Sequence, residues 1–295
     1  MELLVKDYNG RETSLELVDT HCHLDFNKFD NDRNEVVLRA QAAGLTHMLI
    51  PGITIESSRE AVKLSMNDPV LFAAIGIQPN DALTWNDNSV SDLTQLFLSN
   101  TDPLTSTRKK IVAIGEIGLD YYWEAAPHAH QKNIIWEQLH LATRLGLPVI
   151  LHIREKQDAE HGPCAEDLLD ILTDWTEQLI STNNPLSSHP GVLHSFSGNL
   201  DTAQKVIQMG FFIGVTGPVT FKNAKNRQDI IAAIPLEHLL LETDSPFLTP
   251  HPNRGQRNEP ANIQFVAIKV AELHKESLAR VAGQTCANAK NLFNW

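Results

Sequence analysis

Short apolar, β-branched runs recur along the chain, separated by segments with helical spacing. The runs read LELVDTHCH, THMLIPGI, LFAAIGIQP, KIVAIGEIGLD, LPVILHIR, GVLHSFSG, FFIGVTG and HLLLETDSP. Most are almost continuously apolar, which suits strands buried on both faces of a parallel sheet. Between them NEVVLRAQAAG, SSREAVKLSMN, SVSDLTQLFLSN, QKNIIWEQLHLATRLG, AEDLLDILTDW, DTAQKVIQMG and RQDIIAAIP repeat apolar residues every three or four positions, several ending at Gly or Pro. Eight strand-to-helix repeats over about 250 residues predict an α/β chain of one domain, a (β/α)8 TIM barrel. The barrel and its C-terminal helices take residues 17–295, and residues 1–16 form an N-terminal extension. In that extension Asn9-Gly10 stands between two alternating segments, the signal for a tight β-hairpin, read as a lid on the barrel bottom. Polar stretches at 84–92, 100–110 and 181–190 predict loops, and 155–163 follows a strand where barrel enzymes place substrate-facing segments. An open doubly wound sheet would need a glycine-rich phosphate loop after an early strand, and neither G-x-G-x-x-G nor G-x-x-x-x-G-K-[ST] occurs.

Composition changes this picture little: 42% hydrophobic and 20% charged residues describe an ordinary globular chain. The charge of -12 argues against broad attraction to nucleic acid, which depends on many Lys and Arg, but it leaves room for a local basic pocket. The first residues are too charged for a signal peptide and no run approaches a membrane span, so the expectation is a cytoplasmic protein without membrane association. Cys22, Cys164 and Cys286 form neither a disulfide framework nor a C-x-x-C motif.

Candidate chemistry enters at the ends of the runs. With 13 histidines in 295 residues, roughly 0.6 His-x-His pairs arise by chance, so His21-Cys22-His23 proves little alone. Barrel chemistry, however, sits at the C-terminal ends of strands. There the first run places His21 and His23, the fourth Glu116, the fifth His152, the sixth His194 and the eighth Asp244. Strand alternation turns His21 and His23 to one side and Cys22 to the other, leaving the cysteine to packing. Four imidazoles and two carboxylates exceed one tetrahedral ion and fit two divalent metals, with Glu116 as the natural bridge. Asp244 also suits a general base, taking a proton from the attacking water. Ser195 and Ser197 lack the G-x-S-x-G context of a nucleophile.

Cations gather after the same strands: Arg154, Lys222, Arg254 and Arg257. Of these, Lys222 and Arg257 read as phosphate contacts, Lys225 and Arg227 as solvated charges, and Tyr121, Tyr122 and Trp123 as rings able to stack on a splayed base.

The segments DTHCHLD, GEIGLDYY, LPVILHIR, HSFSG, ETDSPFLTP and RNEPANI, in this order, resemble the TatD family of metal-dependent deoxyribonucleases from about residue 18 to the C-terminus. The resemblance implies a barrel, the same six metal ligands and hydrolysis of DNA phosphodiesters, often from the 3′ end. It also implies Lys222, Arg257 and Asn258 as phosphate contacts; Arg154 and Tyr122 are read on the substrate side from their places after the fifth and fourth runs. DNA is then the substrate, and no obligate protein partner is expected. Where the family usually shows G-I-H-P-H, this chain has Gly76-Ile77-Gln78-Pro79-Asn80, two amides in place of two histidines. Histidine-rich coordination favours Zn, Mn, Fe or Co, whereas the resemblance implies activity supported by Mg. An amidohydrolase or phosphotriesterase-like lactonase on the same barrel is the second enzymatic reading, disfavoured because Glu116 stands where such enzymes carry a modified lysine. A catalytically weak interaction protein is the third, and the full ligand set speaks against it.

Overall fold

A computed structural model describes residues 4–6, 12–100 and 110–295. Strands β1 (Leu4–Lys6) and β2 (Glu12–Ser14) pair antiparallel with Leu4 opposite Ser14. They are the two strands of the expected hairpin; Asn9-Gly10, where its turn was predicted, and most of the 100–110 segment lie outside the described residues. The sheet strands are β3 (Leu17–Asp19), β4 (Leu45–Pro51), β5 (Leu71–Ile75), β6 (Ile111–Asp120), β7 (Val149–Arg154), β8 (Gly191–Leu193), β9 (Phe212–Val215) and β10 (Leu239–Leu241). Helices α1 (Arg33–Ala42), α2 (Ile55–Asn67), α3 (Ser89–Ser99), α4 (His128–Leu145), α5 (Pro163–Ser181), α6 (Leu200–Gln208), α7 (Lys225–Ala233), α8 (Ile263–His274) and α9 (Leu278–Phe293) complete the chain. The eight strands form one sheet in chain order from β3 to β10. This is the (β/α)8 TIM-barrel topology that the alternating runs predict.

Two compact units divide the chain, residues 1–50 with 214–290 and residues 51–213 with 291–295. In the first, β3 pairs parallel with β4 and carries the closing contact to β10: the Thr20 amide donates to the Leu241 carbonyl at 3.1 Å and the Asp244 amide to the His21 carbonyl at 2.9 Å. Leu17, Val18 and Leu239–Leu241 are buried, and α8 covers them with Ile263, Val266 and Val270. The α9 residue Asn288 donates to the Leu236 and Leu239 carbonyls, both at 2.8 Å, fixing the entry to β10.

In the second unit β5 to β9 run parallel, each paired with the next. All ten residues of β6 are buried, as its nearly unbroken apolar sequence requires. Against β7 its register shifts between Ile114, opposite Val149, and Ile117, opposite Leu151, so one extra residue is accommodated at Gly115-Glu116. Such a bulge re-aims a side chain. Here two glycines are demanded: a Cβ on Gly115 would meet the Ile150 Cβ at 2.6 Å, and Gly118, at φ +144°, would bring one to 2.0 Å from the His152 carbonyl oxygen. The expected loop at 84–92 is shorter than read, because α3 begins at Ser89. Its polar first turn is helical nonetheless, with the Ser89 hydroxyl accepting from the Asn86 amide at 2.9 Å.

Candidate metal centre

In the first unit the alternation past β3 places Asp19, His21 and His23 on one side. Cys22 turns away, buried, with its thiol 3.5 Å from the Leu49 carbonyl. The His21 and His23 Nε2 atoms lie 3.2 Å apart, and Asp244 Oδ1 is 3.8 Å from the first and 3.5 Å from the second. Two imidazole nitrogens bound tetrahedrally to one zinc at about 2.0–2.1 Å stand roughly 3.3 Å apart. The observed spacing therefore fits a shared cation, and the donor set of two imidazoles and a carboxylate suits a divalent transition metal.

Asp19 builds this geometry, and reading the sequence for ligands alone passes it over. Its Oδ1 accepts from the His21 amide at 3.2 Å and the Thr243 amide at 3.0 Å, and its Oδ2 accepts from the Thr243 hydroxyl at 2.5 Å. Burial pushes its carboxyl up to about 7, against the opposing hydrogen bonds. The clasp ties β3 to the residue before Asp244. Asp244 itself takes a left-handed backbone, φ +54°, which aspartate tolerates better than most residues.

The substrate-side candidates of this unit divide. Lys222 is exposed in the loop after β9. Arg257 is committed elsewhere: it grips both oxygens of Asp32 at 2.7 Å and donates to the Lys28 carbonyl at 2.8 Å. Asn258 departs from the expected phosphate contact. It is fully buried; its Nδ2 donates to the Thr243 and Phe247 carbonyls at 2.9 and 2.7 Å, while its Oδ1 accepts from Glu259 and Asn262. With every hydrogen-bonding position of the amide in use, its work is to hold the turn around Asp244.

In the second unit the bulge of β6 delivers buried Glu116 to His152 on β7, whose Nδ1 lies 2.9 Å from Glu116 Oε1. The other ring nitrogen, Nε2, donates to Asp120 Oδ2 at 3.0 Å. Burial disfavours charge on His152, but the carboxylates on both ring nitrogens outweigh it and hold the imidazolium up to about 10. Burial likewise pushes Asp120 up, and its hydrogen bonds, chiefly from His152, win and keep it below the usual carboxylate range. A carboxylate behind a metal-binding histidine fixes the ring and its tautomer. Asp120 was legible only as the last residue of the GEIGLD run, four after Glu116. His194 follows β8, buried, its amide donating to the Leu151 carbonyl at 2.9 Å. The two amides replacing the usual histidines stay close by: Asn80 Nδ2 donates to Asp120 Oδ2 at 3.0 Å, and Gln78 Nε2 donates to Asp81 at 2.6 Å. The structure thus brings together His21, His23 and Asp244 in one unit, and Glu116 and His152 in the other. A separate cavity of about 560 Å³ opens near the N-terminal starts of β6 and β7, lined by Ile111, Pro148, His189 and Asn291. In this topology that end serves stability, not chemistry.

Histidines and carboxylates at the C-terminal ends of parallel strands, on a (β/α)8 topology, define the class of metal-dependent hydrolases. The pattern of the TatD related DNase family matches residues 18–294, so the chain belongs to that family. An uncharacterized metal-dependent hydrolase, YabD of Bacillus subtilis, is 35% identical over 277 residues, which is 94% of this chain and 98% of the relative. The 3'-5' ssDNA/RNA exonuclease TatD of Cronobacter sakazakii is 32% identical over 283 residues, 94% of this chain and 97% of that protein. Among solved structures, the TatD homolog YjjV of Escherichia coli superposes with a TM-score of 0.81 at 33% identity, covering 95% of this chain and 98% of the other. Among the described residues no helix is long and apolar enough to cross a membrane.

Proposed function

We propose that the protein is a metal-dependent nuclease that removes nucleotides from the 3′ end of DNA by hydrolysing phosphodiester bonds. The observation that carries this reading is the His21, His23 and Asp244 group, whose spacing fits a divalent cation. Support comes from the relatives named as 3'-5' ssDNA/RNA exonucleases. His21, His23, Glu116, His152, His194 and Asp244 would hold two divalent ions, of Zn, Mg or Mn. Bound there, such ions supply Lewis acidity and lower the pKa of water. Asp244 takes the proton of the attacking water, and Asn258 and Asp19 keep its turn in place. Glu116 is set by the β6 bulge and His152 by Asp120. Lys222 binds backbone phosphate; Arg257, held by Asp32, shapes the loop on which Asn258 sits.

The test is cleavage of 5′-labelled single-stranded DNA and its RNA counterpart by metal-stripped protein, restored separately with Mg, Mn and Zn, beside Asp244→Asn. A ladder shortening from the 3′ end that needs both metal and Asp244 is the expected result. Absence of cleavage in protein that binds two ions per chain would overturn the nuclease reading and turn attention to carboxylic esters and amides.

A further inference from the structure

Three aromatic residues follow β6 in the second unit, and they do not behave alike. Tyr121 turns inward: its hydroxyl donates to Asp167 at 2.6 Å and its ring stacks on His128 at 3.4 Å. Tyr122 and Trp123 instead collect a cation. The Arg154 guanidinium, from the end of β7, lies 3.8 Å from the Tyr122 ring centroid and 5.4 Å from that of Trp123. Its Nε donates to Asp158 at 2.8 Å, which fixes it there. Trp123 is 61% exposed, a large apolar face left to water beside a positive charge.

Asp120 decides where this group stands. Its Oδ1 accepts from the Tyr122 and Trp123 amides at 2.9 and 3.0 Å, and its Oδ2 accepts from His152 Nε2 at 3.0 Å. One carboxyl group therefore fixes both the aromatic segment and a histidine proposed as a metal ligand. The two are thus tied to the two oxygens of one group.

We infer that Tyr122, Trp123 and Arg154 form a stacking subsite for a nucleobase of the strand being cleaved, kept in register with His152 by Asp120 as a positioning residue. The inference rests on the nuclease reading and adds the part of the nucleotide recognised beyond its phosphate. Trp123 offers its exposed face to the base, and Arg154 offers its charge to the electron-rich ring and the neighbouring phosphate. Every base has a π face, so the subsite favours single strands with splayed bases and reads little sequence.

The experiment uses the full chain as wild type, Trp123→Ala and Trp123→Phe, with labelled single-stranded oligonucleotides that are intact or carry an abasic residue at one of the last three 3′ positions. Binding is followed by fluorescence anisotropy without added metal, and cleavage with metal. Trp123→Ala is expected to weaken binding of the intact strand about 10-fold, with Phe recovering most of it. At one abasic position the wild type should lose a similar factor, and Trp123→Ala should then add no more than about twofold, as a shared contact requires. Asp120→Asn should lower the penalty for the abasic strand together with Mn uptake; loss of Mn uptake with the base penalty intact would remove Asp120 from this role. Equal binding by wild type and Trp123→Ala, or a full abasic penalty in the alanine variant, overturns the subsite. Cleavage insensitive to Trp123 sinks the subsite and spares the nuclease. Base-dependent binding through Trp123 without cleavage under any metal sinks the nuclease and leaves a binding surface.

Discussion

The two jobs proposed for Asp244, holding a cation and taking a proton, can be separated by a single atom. Its backbone bonds, to the His21 carbonyl and from the Phe247 amide, do not use the carboxylate. Asp244→Asn should therefore fold normally and lose at least about 100-fold in kcat, the scale of a lost general base; a near-normal rate in the asparagine variant would remove it from proton transfer. Arg257 gives a sharper contrast. If it shapes its loop through Asp32, Arg257→Ala and Asp32→Ala should alter KM for an oligonucleotide alike, whereas a phosphate contact would make the arginine variant alone defective. The same pair predicts an acid response. Hydrogen bonds, first from Arg257 and then from Arg39, hold Asp32 at about 2, below its ordinary 3.8. A depressed folded value means that this stabilisation is in place above the unfolded pKa and lost as pH falls toward 2. Arg257→Ala should accordingly unfold at a higher pH in an acid titration followed by circular dichroism.

At the scale of elements, β6 carries most of the specification. Gly118→Ala combines a forbidden φ with collision against the His152 carbonyl, so it should cost well over 1 kcal/mol in denaturant unfolding and lower metal content with it. The eight strand segments and their intervening helices were legible because buried parallel strands are almost continuously apolar, as Ile111–Ile114 shows. The pairing of His21 with His23 was legible too, since alternation alone turns them to one side. The bulge at Gly115-Glu116 was not, because it depends on the register against Val149 and Leu151, which lies far away in sequence. Asp19, Asp120 and Thr243 escaped for a related reason. A buried carboxylate declares its purpose through the groups it meets, and those partners come from other strands. Asn258 misled in the opposite direction, an amide in a site motif that turns out to brace a turn.

For the molecule as a whole, the charge of -12 sets how a strand can be held. If two or three cations meet phosphate, binding of single strands should fall with salt at a log–log slope of about -1.5 to -2, against about -0.7 per phosphate neutralised. A much steeper slope would reveal a basic surface beyond Lys222 and Arg154. Metal should matter to stability as well as rate: at 100 times its Kd, a cation bound only by the folded chain adds about 2.7 kcal/mol, so chelation should lower Tm and Mn should restore it. The two-sided grip of Asp120 on His152 and on the Trp123 loop has a further effect when binding is considered as an equilibrium. If a base docked on Trp123 raises the affinity for a cation at His152, the cation must raise the affinity for the base by the same factor. With such coupling, metal occupancy would rise while a strand is engaged and fall once the shortened strand departs, so the amount of substrate present, and not the metal supply alone, would set how much of the protein is armed.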